Sequence, residues 1–149
     1  MRAAILVTSG VMPAVTETSA EPSIDDGGAP ASLLLIDDDP MMLESLAMAL
    51  EDHGFRVLTA ASGPAGLRAF REQRPDAVLT DIVMPGQDGF EIMRQVRREQ
   101  PDAKVVLISG QLDRWDYRDL AEKLGADATF AKGRDIRSLV ETLNRILRR

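Results

Sequence analysis

From Ser32 onward the apolar residues fall into short solid runs, each followed by a longer stretch where they recur every third or fourth position. The runs are LLLID (33–37), FRVLTA (55–60), DAVLTD (76–81), AKVVLIS (103–109) and ATFAK (128–132). FRVLTA alternates like a half-buried strand; the other runs lack strict alternation, as expected of parallel strands covered on both faces. The stretches between them carry helix signals. Asp39 offers an N-cap with Pro40 at the first helical position, and MMLESLAMALEDHG follows, ending at Gly54. Ser62 and Pro64 open AGLRAFREQR, Asp88 caps GFEIMRQVRREQ, and Asp135 caps IRSLVETLNRILRR. In that last segment Ile136, Leu139, Val140, Leu143 and Leu147 share one helical face. In DYRDLAEKLG, Tyr117, Leu120, Ala121 and Leu124 form a stripe expected to face a sheet, with Trp115 well off it. Met41, Met42 and Met48 also stand at helical spacing and read as core or near-core filler.

Strand and helix thus alternate five times, which predicts one α/β domain: a doubly wound parallel sheet with right-handed crossovers. No internal repeat and no room for a second domain accompany it. Residues 1–31 read differently. TETSAEPSIDDGGAP is rich in small, acidic and turn-forming residues, so a flexible N-terminal tail is expected, with the folded domain over 32–149. A secretory leader fits less well, because Thr8, Ser9, Gly10 and Pro13 interrupt the apolar patch around Ile5.

Composition narrows the function. A net charge of −6 disfavours direct nucleic-acid binding, which needs a basic surface. Absence of cysteine excludes disulfides and thiolate metal sites and fits a reducing, cytoplasmic setting. No apolar run approaches the ~18 residues that span a membrane. His53, the sole histidine, sits at a helix end where a cation suits the dipole, which is a structural place and a poor one for a phosphodonor. The arginines from Arg134 to Arg149 read as a solvated helix face.

The strand ends carry the chemistry. In a parallel sheet the C-terminal ends lie along one edge, where ligands bind. The first strand ends in Asp37, followed by Asp38; the third ends in Asp81, the fourth in Ser109 and the fifth in Lys132. One ammonium does not balance three carboxylates, and like charges raise each other's pKa unless a cation offsets them. An oxygen-only donor set favours a hard ion, Mg²⁺ or Mn²⁺, and a phosphoryl group fits between that ion, Lys132 and Ser109. Asp39, beyond the pair, is assigned to capping.

These residues resemble a known family. IDDDP, DIVMPGQDGFEI, VVLISG and GADATFAK, with the spacing between them, are similar to the receiver domain of two-component response regulators, here of a stand-alone, single-domain kind. The resemblance implies a flavodoxin-like sheet of order 2-1-3-4-5 with five helices. It implies Asp81 as the phosphoacceptor, attacking a phosphohistidine on a sensor histidine kinase or histidine phosphotransferase. Asp37 and Asp38 would organise Mg²⁺ together with Asp81 and the backbone carbonyl of Val83. Lys132 would pair with phosphoryl oxygens, and Ser109 would bond one after transfer, drawing its loop inward. Such a protein is not a separate enzyme; it assists its own phosphorylation and dephosphorylation and signals by binding a downstream protein.

Two positions depart from the family pattern. Gly133 follows Lys132 where proline, held cis, is common; a cis bond before a non-proline costs about 2.5–4 kcal/mol, so a trans or a strained peptide is expected. Thr129 occupies the place of the aromatic switch residue, and Phe130, one residue later, should point to the opposite face of its strand. Movement of the segment after Ser109 would then carry the signal, with Trp115 as a candidate partner anchor. Two other functions compete. One is a degenerate receiver that docks partners without phosphate, against which the intact acidic set argues. The other is a phosphatase of the haloacid-dehalogenase type, which needs Thr or Val after its D-x-D, where this chain has Pro40 and Met41.

Overall fold

The computed structural model describes residues 29–110 and 115–148, with the backbone alone at 115–117. Within these residues β1 (Ser32–Ile36), α1 (Pro40–Asp52), β2 (Arg56–Ala60), α2 (Gly63–Gln73), β3 (Ala77–Asp81), α3 (Gly89–Glu99), β4 (Lys104–Ser109), α4 (Trp115–Leu124), β5 (Ala128–Ala131) and α5 (Ile136–Ile146) alternate strictly. The strands form one parallel sheet in the order 2-1-3-4-5. β3 sits at its centre and β1 lies between β2 and β3, with Leu33 opposite both Val57 of β2 and Ala77 of β3. The order reverses beside β1, which opens the crevice at the C-terminal ends of β1 and β3.

The helices begin where their caps place them. The Asp39 carboxylate accepts from the Met41 amide at 3.0 Å, Ser62 Oγ from Ala65 at 3.2 Å, Asp88 from Glu91 at 2.9 Å and Asp135 from Arg137 at 3.1 Å. Each such cap stabilises its helix by about 0.5–2 kcal/mol. α1 closes at His53, whose Nδ1 lies 2.9 Å from the Ala49 carbonyl oxygen, so that histidine is spent on ending a helix.

Two apolar layers sandwich the sheet. Leu34, Ile36, Val78, Val105 and Leu107 turn towards α2 and α3, meeting Leu67, Phe70, Ile92 and Val96. Leu33, Leu35, Leu79, Val106 and Ile108 turn the other way, meeting Leu43, Leu46 and Leu50 of α1 and Leu139 and Leu143 of α5. This is the double coverage that the solid apolar runs demand. At the sheet edge away from the crevice, Asp76 accepts from the Ser32 amide at 2.8 Å, and Asp127 accepts from the Val105 amide at 2.8 Å. Among the described residues no helix is long and apolar enough to cross a membrane.

Two helix faces differ from the sequence reading. Met41 and Met48 are 78% and 58% exposed, not core filler. α1 buries Leu43, Leu46 and Leu50, and that stripe leaves both methionines on the solvent side. Leu120 and Leu124 are also exposed, and Ala121 alone of their stripe is shown fully buried. Among the described side chains of α4, Ala121 is the one that joins the layer of Val105 and Leu107. The side chains of Tyr117 and Trp115, Arg149, and the tail and leader readings over residues 1–28 lie outside the described residues.

Candidate functional site

The crevice gathers charge because β1, β3 and β4 are neighbours and β5 lies next to them. Asp37 follows β1 directly, and its amide donates to the Ala60 carbonyl at the end of β2 at 3.1 Å. Its side chain is buried. One oxygen accepts from the Asp39 amide at 2.9 Å, and the other lies 2.9 Å from Lys132 Nζ. The amide bond makes an Asx turn, so the run of three aspartates divides its labour: Asp39 caps α1, Asp37 folds the turn inward and Asp38 is left exposed. The acidic run itself was the signal for this turn.

Asp81 ends β3 and is also buried. One oxygen lies 3.1 Å from Lys132 Nζ, and the other accepts from the Val83 amide at 3.4 Å. One carboxylate oxygen from each of Asp37, Asp38 and Asp81 falls within 4.8 Å of the others. Burial pushes the Asp81 carboxyl above the usual carboxylate range; the Lys132 ammonium opposes that shift and the Asp37 charge reinforces it. Burial by itself would lower Lys132, but its hydrogen bonds to Asp37 and Asp81 outweigh this and hold the ammonium above the ordinary lysine value. Lys132 therefore bridges two carboxylates. The sequence had set it against the acidic cluster as one offsetting charge and against a phosphoryl group, without showing which carboxylates it pairs.

Ser109 closes β4, buried, and its carbonyl accepts from the Lys132 amide at 3.0 Å, which keeps the ends of β4 and β5 in step. Thr129 pairs with Leu107 in the sheet and is half-buried, while Phe130 turns to the α1 and α5 layer. The ring stands on the face opposite Thr129, as strand parity requires. Gly133 takes φ +89°, a left-handed conformation that glycine adopts without the Cβ penalty.

The donor set suits a hard divalent cation. It is all oxygen, it carries three carboxylates against one ammonium, and the exposed Asp38 opens it to solvent. Burial, reinforced by the Asp37 charge, already disfavours the ionised Asp81, so a further cation would relieve a repulsion already present.

Residues 33–144 match the family model described as the response regulator receiver domain. Protein PilH of Pseudomonas aeruginosa is 35% identical over 118 residues, covering 78% of this chain and 98% of PilH. Transcriptional regulatory protein AfsQ1 of Streptomyces coelicolor is 41% identical over 118 residues, covering 79% of this chain and 52% of AfsQ1. The chain thus spans about half the length of that relative, as it does of TcrX of Mycobacterium tuberculosis, at 52%. A crystal structure of a response regulator receiver domain protein from Clostridium thermocellum superposes with a TM-score of 0.74 at 34% identity, covering 78% of this chain and 94% of that one.

Proposed function

The chain belongs to the response-regulator receiver family, and on that footing we propose that it takes a phosphoryl group on Asp81 and signals by changing what its surface binds. The observation that carries this reading is the placement of Asp81: a buried carboxylate at a strand end, beside one ammonium and within reach of two further carboxylates. An Asp81 oxygen attacks phosphorus, the P–N bond of a donor phosphohistidine breaks, and the imidazole leaves with that electron pair. Lys132 keeps its proton and moves from pairing carboxylates to pairing phosphoryl oxygens. Ser109 donates a hydrogen bond to the transferred group.

Asp37, Asp38, Asp81 and the Val83 carbonyl are the residues that would hold Mg²⁺ or Mn²⁺. Such an ion supplies charge neutralisation for the phosphoryl oxygens. The donor is a sensor histidine kinase or a histidine phosphotransferase, and the receiver of the signal is a downstream protein. With Thr129 in the switch place and Phe130 on the opposite face, the change at Ser109 leaves through the segment that follows it and through α4, where Trp115 is the candidate contact.

Fluorine NMR with beryllofluoride, a phosphoryl mimic, tests the reading. The wild type should give one bound signal that needs Mg²⁺, and Asp81→Asn should give none. A bound signal that persists in Asp81→Asn would assign the chemistry to another carboxylate.

A further inference from the structure

Gly89 is the first residue of α3, and its amide donates to the Ile82 carbonyl at 2.8 Å. This bond draws the start of the helix against the backbone just after the acceptor. A Cβ on residue 89 would lie 2.4 Å from the Asp81 carbonyl oxygen, 3.0 Å from Ile82 Cα and 3.1 Å from the Asp81 carbonyl carbon. All three obstructing atoms are main chain, so no side-chain rotation relieves the clash. On the strand side, the fully buried Thr80 donates its hydroxyl to the same Asp81 carbonyl oxygen at 3.0 Å. The peptide that carries the acceptor is thus held from two directions, by a helix start without a side chain and by a buried hydroxyl.

We infer that Gly89 is a positioning residue for phosphoryl transfer: its missing side chain lets α3 seat on the Asp81 peptide and, with the Thr80 hydroxyl, fixes where the Asp81 carboxylate stands against Lys132, Asp37 and Asp38. The inference rests on Asp81 being the acceptor. Gly89 makes no contact with the reacting atoms and acts through Asp81. Restoring ordinary van der Waals distance to a Cβ at 89 requires an opening of ~1 Å. A displacement of that size at a reacting group costs up to ~100-fold in rate.

The test compares the rate of acyl-phosphate formation from acetyl phosphate with Mg²⁺ in four full-length chains: wild type, Gly89→Ala, Thr80→Val and Val96→Ala. Val96 is buried on the same helix near its far end, so its truncation weakens the core without touching the Asp81 peptide. Gly89→Ala should lower the maximal rate by at least ~10-fold while the half-saturating donor concentration moves little. Thr80→Val, which keeps the shape of the side chain, should lower the maximal rate by a smaller factor. Val96→Ala should stay within ~2-fold of wild type at a comparable loss of melting temperature. If Gly89→Ala does not fold, Thr80→Val against Val96→Ala decides by the same criterion. A Gly89→Ala rate equal to wild type, or a loss that Val96→Ala shares at matched stability, overturns the inference. Failure of the wild type itself to label at Asp81 overturns the functional reading and the inference together.

Discussion

Replacing Lys132 by methionine removes the one ammonium seen between two buried carboxylates while keeping a side chain of similar length. Lys132 Nζ stands 2.9 Å from Asp37 and 3.1 Å from Asp81, and the three side chains are 24%, 4% and 7% exposed. At an effective dielectric of about 20, each contact is worth roughly 5 kcal/mol of attraction before desolvation is counted, against roughly 3.5 kcal/mol of repulsion for carboxylate oxygens near 5 Å. Attraction therefore dominates, and its removal exposes the repulsion. Deleting one partner of a buried ion pair costs about 3–5 kcal/mol. Asp81 can escape part of this by binding a proton, since burial already raises its pKa, so the lower end, about 3 kcal/mol, applies. For a domain of this size that is a fall in Tm of roughly 12 °C. The assay is thermal unfolding at pH 7 in chelator, followed by circular dichroism. Mg²⁺ should then raise the Tm of Lys132→Met by more than that of wild type, because the ion replaces the lost positive charge. The gap between variant and wild type should also narrow in acid, as Asp81 becomes neutral in both. A fall under ~4 °C, or an equal response to Mg²⁺, would refute the claim that Lys132 holds this cluster together.

Asp81→Asn should be more stable than wild type in metal-free urea unfolding at pH 7. The folded pKa of Asp81 is raised, so the penalty for its charge is absent below the ordinary value of 3.8 and grows as pH climbs through the folded value; the advantage of the variant should vanish towards pH 3.8, and a constant advantage would contradict it. Lys132 is raised above 10.5, so its contribution is complete below 10.5 and lost as pH rises through the folded value; the alkaline unfolding limb of wild type should be absent in Lys132→Met. A chain shortened to begin at Ala31 keeps the Ala31 carbonyl that accepts from Arg56 at 2.9 Å and should melt within ~2 °C of the full chain; a drop of ~10 °C would show that the removed residues dock on the domain. Trp115 is the only tryptophan, so beryllofluoride with Mg²⁺ should alter its emission in wild type and not in Asp81→Asn, and an unchanged spectrum at saturation would place the output elsewhere.

The strand ends were legible because residue type and strand boundary coincide. Asp37, Asp81 and Ser109 each terminate an apolar run, and a parallel sheet sends all such ends to one edge. The caps Asp39, Ser62, Asp88 and Asp135 were legible for a similar reason, since capping depends on a residue and the amides two or three positions on. Strand order was not contained in the pattern and came from the family resemblance. Rotation of α1 and α4 was not legible at their margins. Met41, Met48, Leu120 and Leu124 satisfy helical spacing as well as the buried residues do, and which stripe faces inward depends on what the sheet offers opposite. Nor could spacing show that Lys132 reaches both Asp37 and Asp81, because these contacts join β5 to β1 and β3, neither of which is its neighbour in the sheet.

The central claim, that the buried carboxylate at the end of β3 accepts the phosphoryl group, is tested most directly by chemical mapping of the labelled residue. The chain is incubated with acetyl phosphate and Mg²⁺, the acyl phosphate is reduced with borohydride, and the peptides are sequenced by mass spectrometry. The account predicts reduction at Asp81 in wild type, none anywhere in Asp81→Asn, and none in wild type when Mg²⁺ is withheld. Label at Asp37 or Asp38, or undiminished label in Asp81→Asn, would contradict it.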